Sequence, residues 1–224
     1  MKKSILALCA LTLAAGLAAC GGGKSNYTVG GTVTNLQEGT LVLVTNGMEL
    51  AIQPQRDSSG KVLPTTEYAF PNQLEYGEAY NVTLKQIGTD SLGQAIYQQP
   101  PHQVCGPLNI PGNVTSDTAG RLSSINIAFG CDYASHSIGG TITGLAADGL
   151  VLNNGGVRLP VTKNEAGAYP GSFVFPTPVT YKQTYGVTVL EQPARQTCSV
   201  ANGTGEMGDV NITSISVTCV TNPA

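Results

Sequence analysis

The chain has 224 residues, of which only 11% are charged, with 28 Gly, 13 Pro, six Cys and no Trp. A formal charge of −3 supplies no basic patch to hold nucleic acid, which excludes that class of partner. So much Gly and Pro, alongside plentiful Thr, Asn and Val, disfavours long helices and predicts an all-β chain of short strands and tight turns.

In chain order, Lys2 and Lys3 precede an apolar run over 5–19 that ends in small residues before Cys20. The run is too short to cross ~30 Å of hydrocarbon and has the anatomy of a removable export signal covering 1–19. Leu17-Ala18-Ala19-Cys20 resembles the lipobox of bacterial lipoproteins. That resemblance implies cleavage before Cys20 and covalent diacylglyceryl and acyl modification of its thiol and amine, a lipid anchor and no other cofactor. Gly21 in place of Asp after the cysteine implies, in the same family, an outer-membrane location, with either face of that membrane open. The Gly-rich stretch 20–26 reads as the lipidated cysteine and a tether. Loss of Lys2 and Lys3 with the signal leaves nine basic and fourteen acidic residues, so the membrane partner is reached through lipid rather than through charge.

The rest of the chain repeats itself. GGTVT at 30–34 matches GGTIT at 139–143, LVL at 41–43 matches LVL at 150–152, and YNVTL at 80–84 matches YGVTV at 185–189. QPPHQVC at 99–105 matches QPARQTC at 192–198, and IAFGC at 127–131 matches ISVTC at 215–219. Five blocks in one order define a duplicated unit, expected over 27–133 and 137–220. Four cysteines remain after Cys9 and Cys20 are set aside, and an exported chain favours their oxidation. Equivalent positions predict equivalent bonds, Cys105–Cys131 and Cys198–Cys219. No close Cys pair has zinc-site spacing, and no metal ligand set is expected.

In the second copy, strands are expected near 138–143, 149–153, 157–162, 172–175, 185–191, 196–201 and 213–220, with Asn153-Asn154-Gly155-Gly156 as a tight hairpin turn. Val187, Val189, Ile215, Val217 and Cys219 alternate with polar residues, the period of a sheet with one buried face. Seven short strands suggest a β-sandwich. GTITGL at 140–145, GSFVFP at 171–176 and the paired QTC…VTC motifs resemble the Ig-like and prealbumin-like sandwich repeats of bacterial surface proteins. The resemblance implies two tandem sandwiches with one disulfide each and carries little about activity. The first copy departs from it at 53–66 and 86–98, read as insertions.

Candidate chemistry is sparse. His102 is matched by Arg195 in the second copy, His136 falls in the connecting stretch 132–137, and neither lies in a nucleophile motif. Glu75 with Glu78, and Glu206 with Asp209, read as solvated turn residues rather than a hydrolytic pair, given no Trp platform. Asp132 and Asp148 lack a calcium-loop pattern. Lys85, Lys163 and Lys182 sit at strand ends, where the Lys–Asn cross-link of some prealbumin-like domains is not expected. Tyr68, Tyr76 and Tyr97 flank the two insertions and are the candidate partner-binding residues, since tyrosine is amphipathic and stiff. The reading is a non-catalytic outer-membrane lipoprotein that binds a protein or glycan of the envelope or surface. A plain spacer is the alternative, and an accessory to an envelope hydrolase ranks last.

Overall fold

The computed structural model describes residues 25–223; the signal reading and Cys20 lie outside them. Strands are the only regular elements among those residues. They build the same pattern twice. In the first repeat, Gln103–Pro107, Ile125–Tyr133, Val29–Thr34 and Thr65–Ala69 form one sheet in that order, and Met48–Ile52, Leu41–Thr45 and Thr83–Leu84 form a second. In the second repeat, Gln196–Ala201, Ile212–Thr221, Ile138–Thr143 and Ser172–Val174 correspond to the first sheet. Val157–Pro160, Val151–Asn154, Thr184–Glu191 and Thr204–Glu206 complete the other layer.

Each cystine-bearing sheet has one parallel pair at its centre: Val29–Thr34 beside Ile125–Tyr133, and Ile138–Thr143 beside Ile212–Thr221. Gly31 and Gly140 explain how these strands approach so closely. A Cβ built on either would stand 1.8 Å from a backbone oxygen, of Ile127 and Ile215 respectively. The GGT motif repeats because only glycine fits this contact.

Alternation fills the interior as the period of two requires. Ile125, Ile127, Phe129 and Cys131 point into one core with Val29, Val33, Leu41 and Leu43. Ile138, Ile142, Leu152, Ile215, Val217 and Cys219 form a second, separate core. Cys105 bonds Cys131 and Cys198 bonds Cys219; each pair lies directly opposite on neighbouring antiparallel strands.

Three details differ from the sequence reading. The stretch 53–66 is not an insertion. It holds the counterpart of 161–171, and both are closed by one turn: Asp57 N donates to Lys61 O at 2.9 Å and Asn164 N to Ala168 O at 2.9 Å. The alignment was hidden because TEYAFP at 66–71 and GSFVFP at 171–176 share only Phe and Pro. Tyr68 and Phe70 nevertheless occupy the places of Phe173 and Phe175, with edge-on ring pairs at 6.2 and 5.9 Å. Second, the stretch 132–137 is paired strand rather than a free linker: Ile125–Tyr133 runs into it and Ser135–His136 pairs with Val179–Thr180. Third, the short strands Val179–Thr180 and Thr204–Glu206 lack the alternation that would mark them in the sequence.

Candidate functional site

Two glutamines in each repeat hold the cystine strand in place. Cys105 N donates to Gln99 Oε1 at 2.8 Å and Gln99 Nε2 returns a bond to Cys105 O at 3.2 Å. Gln192 does the same for Cys198, at 2.7 and 3.0 Å. Each amide acts as a one-residue strand that saturates the outward backbone groups of an edge, a device that discourages pairing with other chains. Gln103 is buried, takes Gln37 N and Glu38 N at 2.8 and 3.2 Å, and donates to Asn35 O at 2.8 Å. Gln196 repeats this with Ala146 N, Ala147 N and Gly144 O. The matched QPPHQVC and QPARQTC blocks are therefore structural.

Of the candidate tyrosines, Tyr68 must be corrected. Its ring is in the first core at 9% exposure, and its hydroxyl donates to Ile127 O at 2.9 Å; burial pushes the phenol far above the ordinary tyrosine range. It lies on the inward face of Thr65–Ala69 and cannot meet a partner. Tyr76 is 68% exposed and stands at the end of the first repeat where the described chain begins. Tyr97 is 41% exposed, at the base of the 86–98 hairpin.

That hairpin is a true addition, since two residues (190–191) take the place of 85–98 in the second copy. Gln86–Thr89 pairs with Ala95–Tyr97 and every residue of both strands is exposed. Its tip uses the same turn as the two loops above: Asp90 Oδ1 accepts from Leu92 N at 2.9 Å and Gln94 N at 2.8 Å. Ile87, Leu92 and Ile96 are exposed along it. At its base, Tyr97, Val82, Leu84, Cys105, Pro107 and Phe129 line a cleft of about 310 Å³ that opens between the two sheets.

A polar cluster lies between the repeats. His102, in a left-handed conformation at φ 62°, stacks on Tyr181 with centroids 4.1 Å apart and planes 4° from parallel. Its Nδ1–H donates to the Asp209 carboxylate at 2.7 and 2.8 Å. Lys182 Nζ donates to Glu38 Oε1 at 2.8 Å and lies over the rings of Tyr181 and Tyr133. The bond to Lys182 lowers the Glu38 pKa, and the bond to Glu38 raises that of Lys182. Between them Ala134 donates to His102 O and accepts from Tyr181 N, both at 2.8 Å.

Glu75 and Glu78 do lie together, but Glu78 Oε2 accepts from Glu75 N at 2.7 Å and so closes a turn. Glu206 and Asp209 do not meet: Asp209 faces His102 instead. His136 keeps a buried Nε2 without a hydrogen-bond partner. Among the described residues, no three His, Cys, Asp or Glu side chains are placed to hold a metal ion together, and no helix is long and apolar enough to span a membrane.

Fold and site together define an all-β, disulfide-bonded sandwich protein with a decorated first repeat. No protein-family model matches the chain, and no curated protein sequence matches it. Among solved structures it is similar to the pilus adhesin SpaC of Lactobacillus rhamnosus GG, with 11% identity, 86% of this chain and 30% of the adhesin covered, and a TM-score of 0.29. It thus spans about a third of that adhesin. It is also similar to the major pilin of Streptococcus pyogenes (N168A mutant), with 11% identity, 87% and 98% covered, and a TM-score of 0.27.

Proposed function

We propose that the protein is a non-catalytic lipoprotein of the outer membrane whose two sandwich units, 27–133 and 137–220, present a contact site to a protein partner of the envelope or cell surface. The observation that carries this is the 86–98 hairpin. A two-stranded hairpin exposed on both faces is marginal alone, yet this one offers Ile87, Leu92 and Ile96 to solvent beside an apolar cleft. Docking would bury these aliphatic side chains, the kind of central apolar contact on which protein interfaces rely. Three exposed aliphatic side chains, with Tyr97 as a single exposed ring at their base, favour a protein over a glycan.

Strand addition is the weaker mode at the cystine edges, because Gln99 and Gln192 already occupy them. Acylation of Cys20 would hold the protein at the membrane. The stacked, ion-paired junction favours a stiff unit that holds the hairpin at a fixed height, so a spacer role and a binding role coexist in one geometry.

A photo-crosslinking residue at Leu92, in cells that make the full chain, should give one discrete adduct that disappears when Ile87 and Ile96 are changed to Asp. The same reporter at Val174, on the second repeat, should give none. Indiscriminate adducts at both positions would leave only the spacer. Intact mass of the mature protein should show Cys20 as the acylated N-terminus, and protease treatment of whole cells should decide which membrane face carries it.

A further inference from the structure

The two repeats differ at the end from which each begins. Tyr76 N bonds Ser25 O at 3.0 Å and Gly77 N bonds Ala119 O at 2.9 Å; in the second repeat Tyr181 N bonds Ala134 O at 2.8 Å and Lys182 N bonds Met207 O at 2.9 Å. Tyr76 is therefore the counterpart of Tyr181. Tyr181 is covered by His102 of the preceding repeat, whereas Tyr76 is 68% exposed. Its ring is nevertheless held. A Cβ on Gly120, at φ +96°, would stand 2.3 Å from the Tyr76 ring, so the ring lies flat against a position only glycine can fill. Leu122, two residues on, is 45% exposed, and between them Arg121 spends one guanidinium nitrogen on Asp117 at 3.0 Å, leaving further donors free to face outward.

Chain length says what covers this end. Ser25 is five residues from Cys20, and five residues span at most about 18 Å even when fully extended. On the reading that Cys20 is acylated, on which this inference rests, the Tyr76 end cannot leave the neighbourhood of the lipid. We propose that Tyr76, Arg121 and Leu122 form a membrane-contact surface that seats the first repeat in the headgroup layer. Tyrosine belongs in that layer, with its ring among the upper acyl carbons and its hydroxyl in water. Leucine adds apolar burial, and arginine meets phosphate. Glu75 and Glu78 share this end, so the surface is mixed in sign and fits zwitterionic phospholipid rather than a polyanionic one.

The absence of Trp from the sequence makes the test clean, because Tyr76→Trp creates a single reporter and Leu122→Trp a second that leaves the Gly120 contact intact. The full chain, purified with its anchor, is reconstituted into phosphatidylethanolamine–phosphatidylcholine vesicles, with and without bromine on the acyl chains. Both reporters should shift to the blue and lose roughly half their emission or more to brominated lipid, as residues of the interfacial layer do, while Tyr97→Trp should change little. Protein that floats with the vesicles while both reporters stay water-like and unquenched overturns the seating and leaves the anchor intact. Protein that fails to float overturns the anchor, and the seating falls with it.

Discussion

Gln103 and Gln196 show how much one side chain can organise. Each is buried and makes three bonds to backbone 49–68 residues away, so an alanine would strand two amide donors and a carbonyl. Gln103→Ala and Gln196→Ala should each lower stability by about 2–4 kcal/mol, the cost of leaving buried polar groups unpaired, and thermal unfolding should report similar losses in both. Gly31→Ala and Gly140→Ala should be worse, because the new methyl meets a backbone oxygen that the parallel pairing fixes. A loss of more than about 4 kcal/mol is expected in chemical denaturation. These residues stood out in the sequence as matched letters, but their roles did not, because the partners lie far away along the chain. Tyr68 differs from its sequence reading for a related reason: taking 53–66 as an insertion hides that Tyr68, which flanks it, occupies the position of Phe173.

At the level of strands and turns, the sequence was most informative where the period of two was clean. Ile212–Thr221 and Gln196–Ala201 lie where alternation and the VTC and QTC motifs put them. It was least informative for two- and three-residue strands, whose existence depends on a neighbour rather than on their own pattern. The shared turn could have been found: D-S-S-G-K at 57–61, D-S-L-G-Q at 90–94 and N-E-A-G-A at 164–168 follow one rule, an Asx side chain capping the loop and Gly in fourth place. Asp90→Ala should fray the exposed hairpin and raise amide exchange at Leu92 and Gln94 without touching the core. The disulfides act on a larger loop. With the paired cysteines separated by 26 and 21 positions in sequence, replacing either pair by alanine should cost about 3–4 kcal/mol on the chain-entropy account.

Across the whole molecule, the junction is what no local reading reveals, since Lys182 and Glu38 are 144 residues apart. Its pH response follows from the direction of the shifts. The Glu38 pKa is lowered, so its contribution is complete above the ordinary carboxylate range and is lost as pH falls through the lowered value. The Lys182 pKa is raised, so its contribution is complete below the ordinary lysine range and is lost as pH climbs past the raised value. Small-angle scattering should therefore give one fixed length across neutral pH and a broader distribution in strong acid. Lys182→Ala combined with Asp209→Asn should produce that broadening at neutral pH, with both cores still folded.

The same four junction positions can be followed to the molecule's two outer ends. Ala147 and Arg195 stand at one where Glu38 and His102 stand inside, and Gly77 and Arg121 stand at the other in place of Lys182 and Asp209. Stacking a further copy by the same contact would remove the ion pair and press one guanidinium against another. The coupling is keyed to join these two halves once, and a concentrated solution of the protein should sediment as single particles rather than grow into fibres.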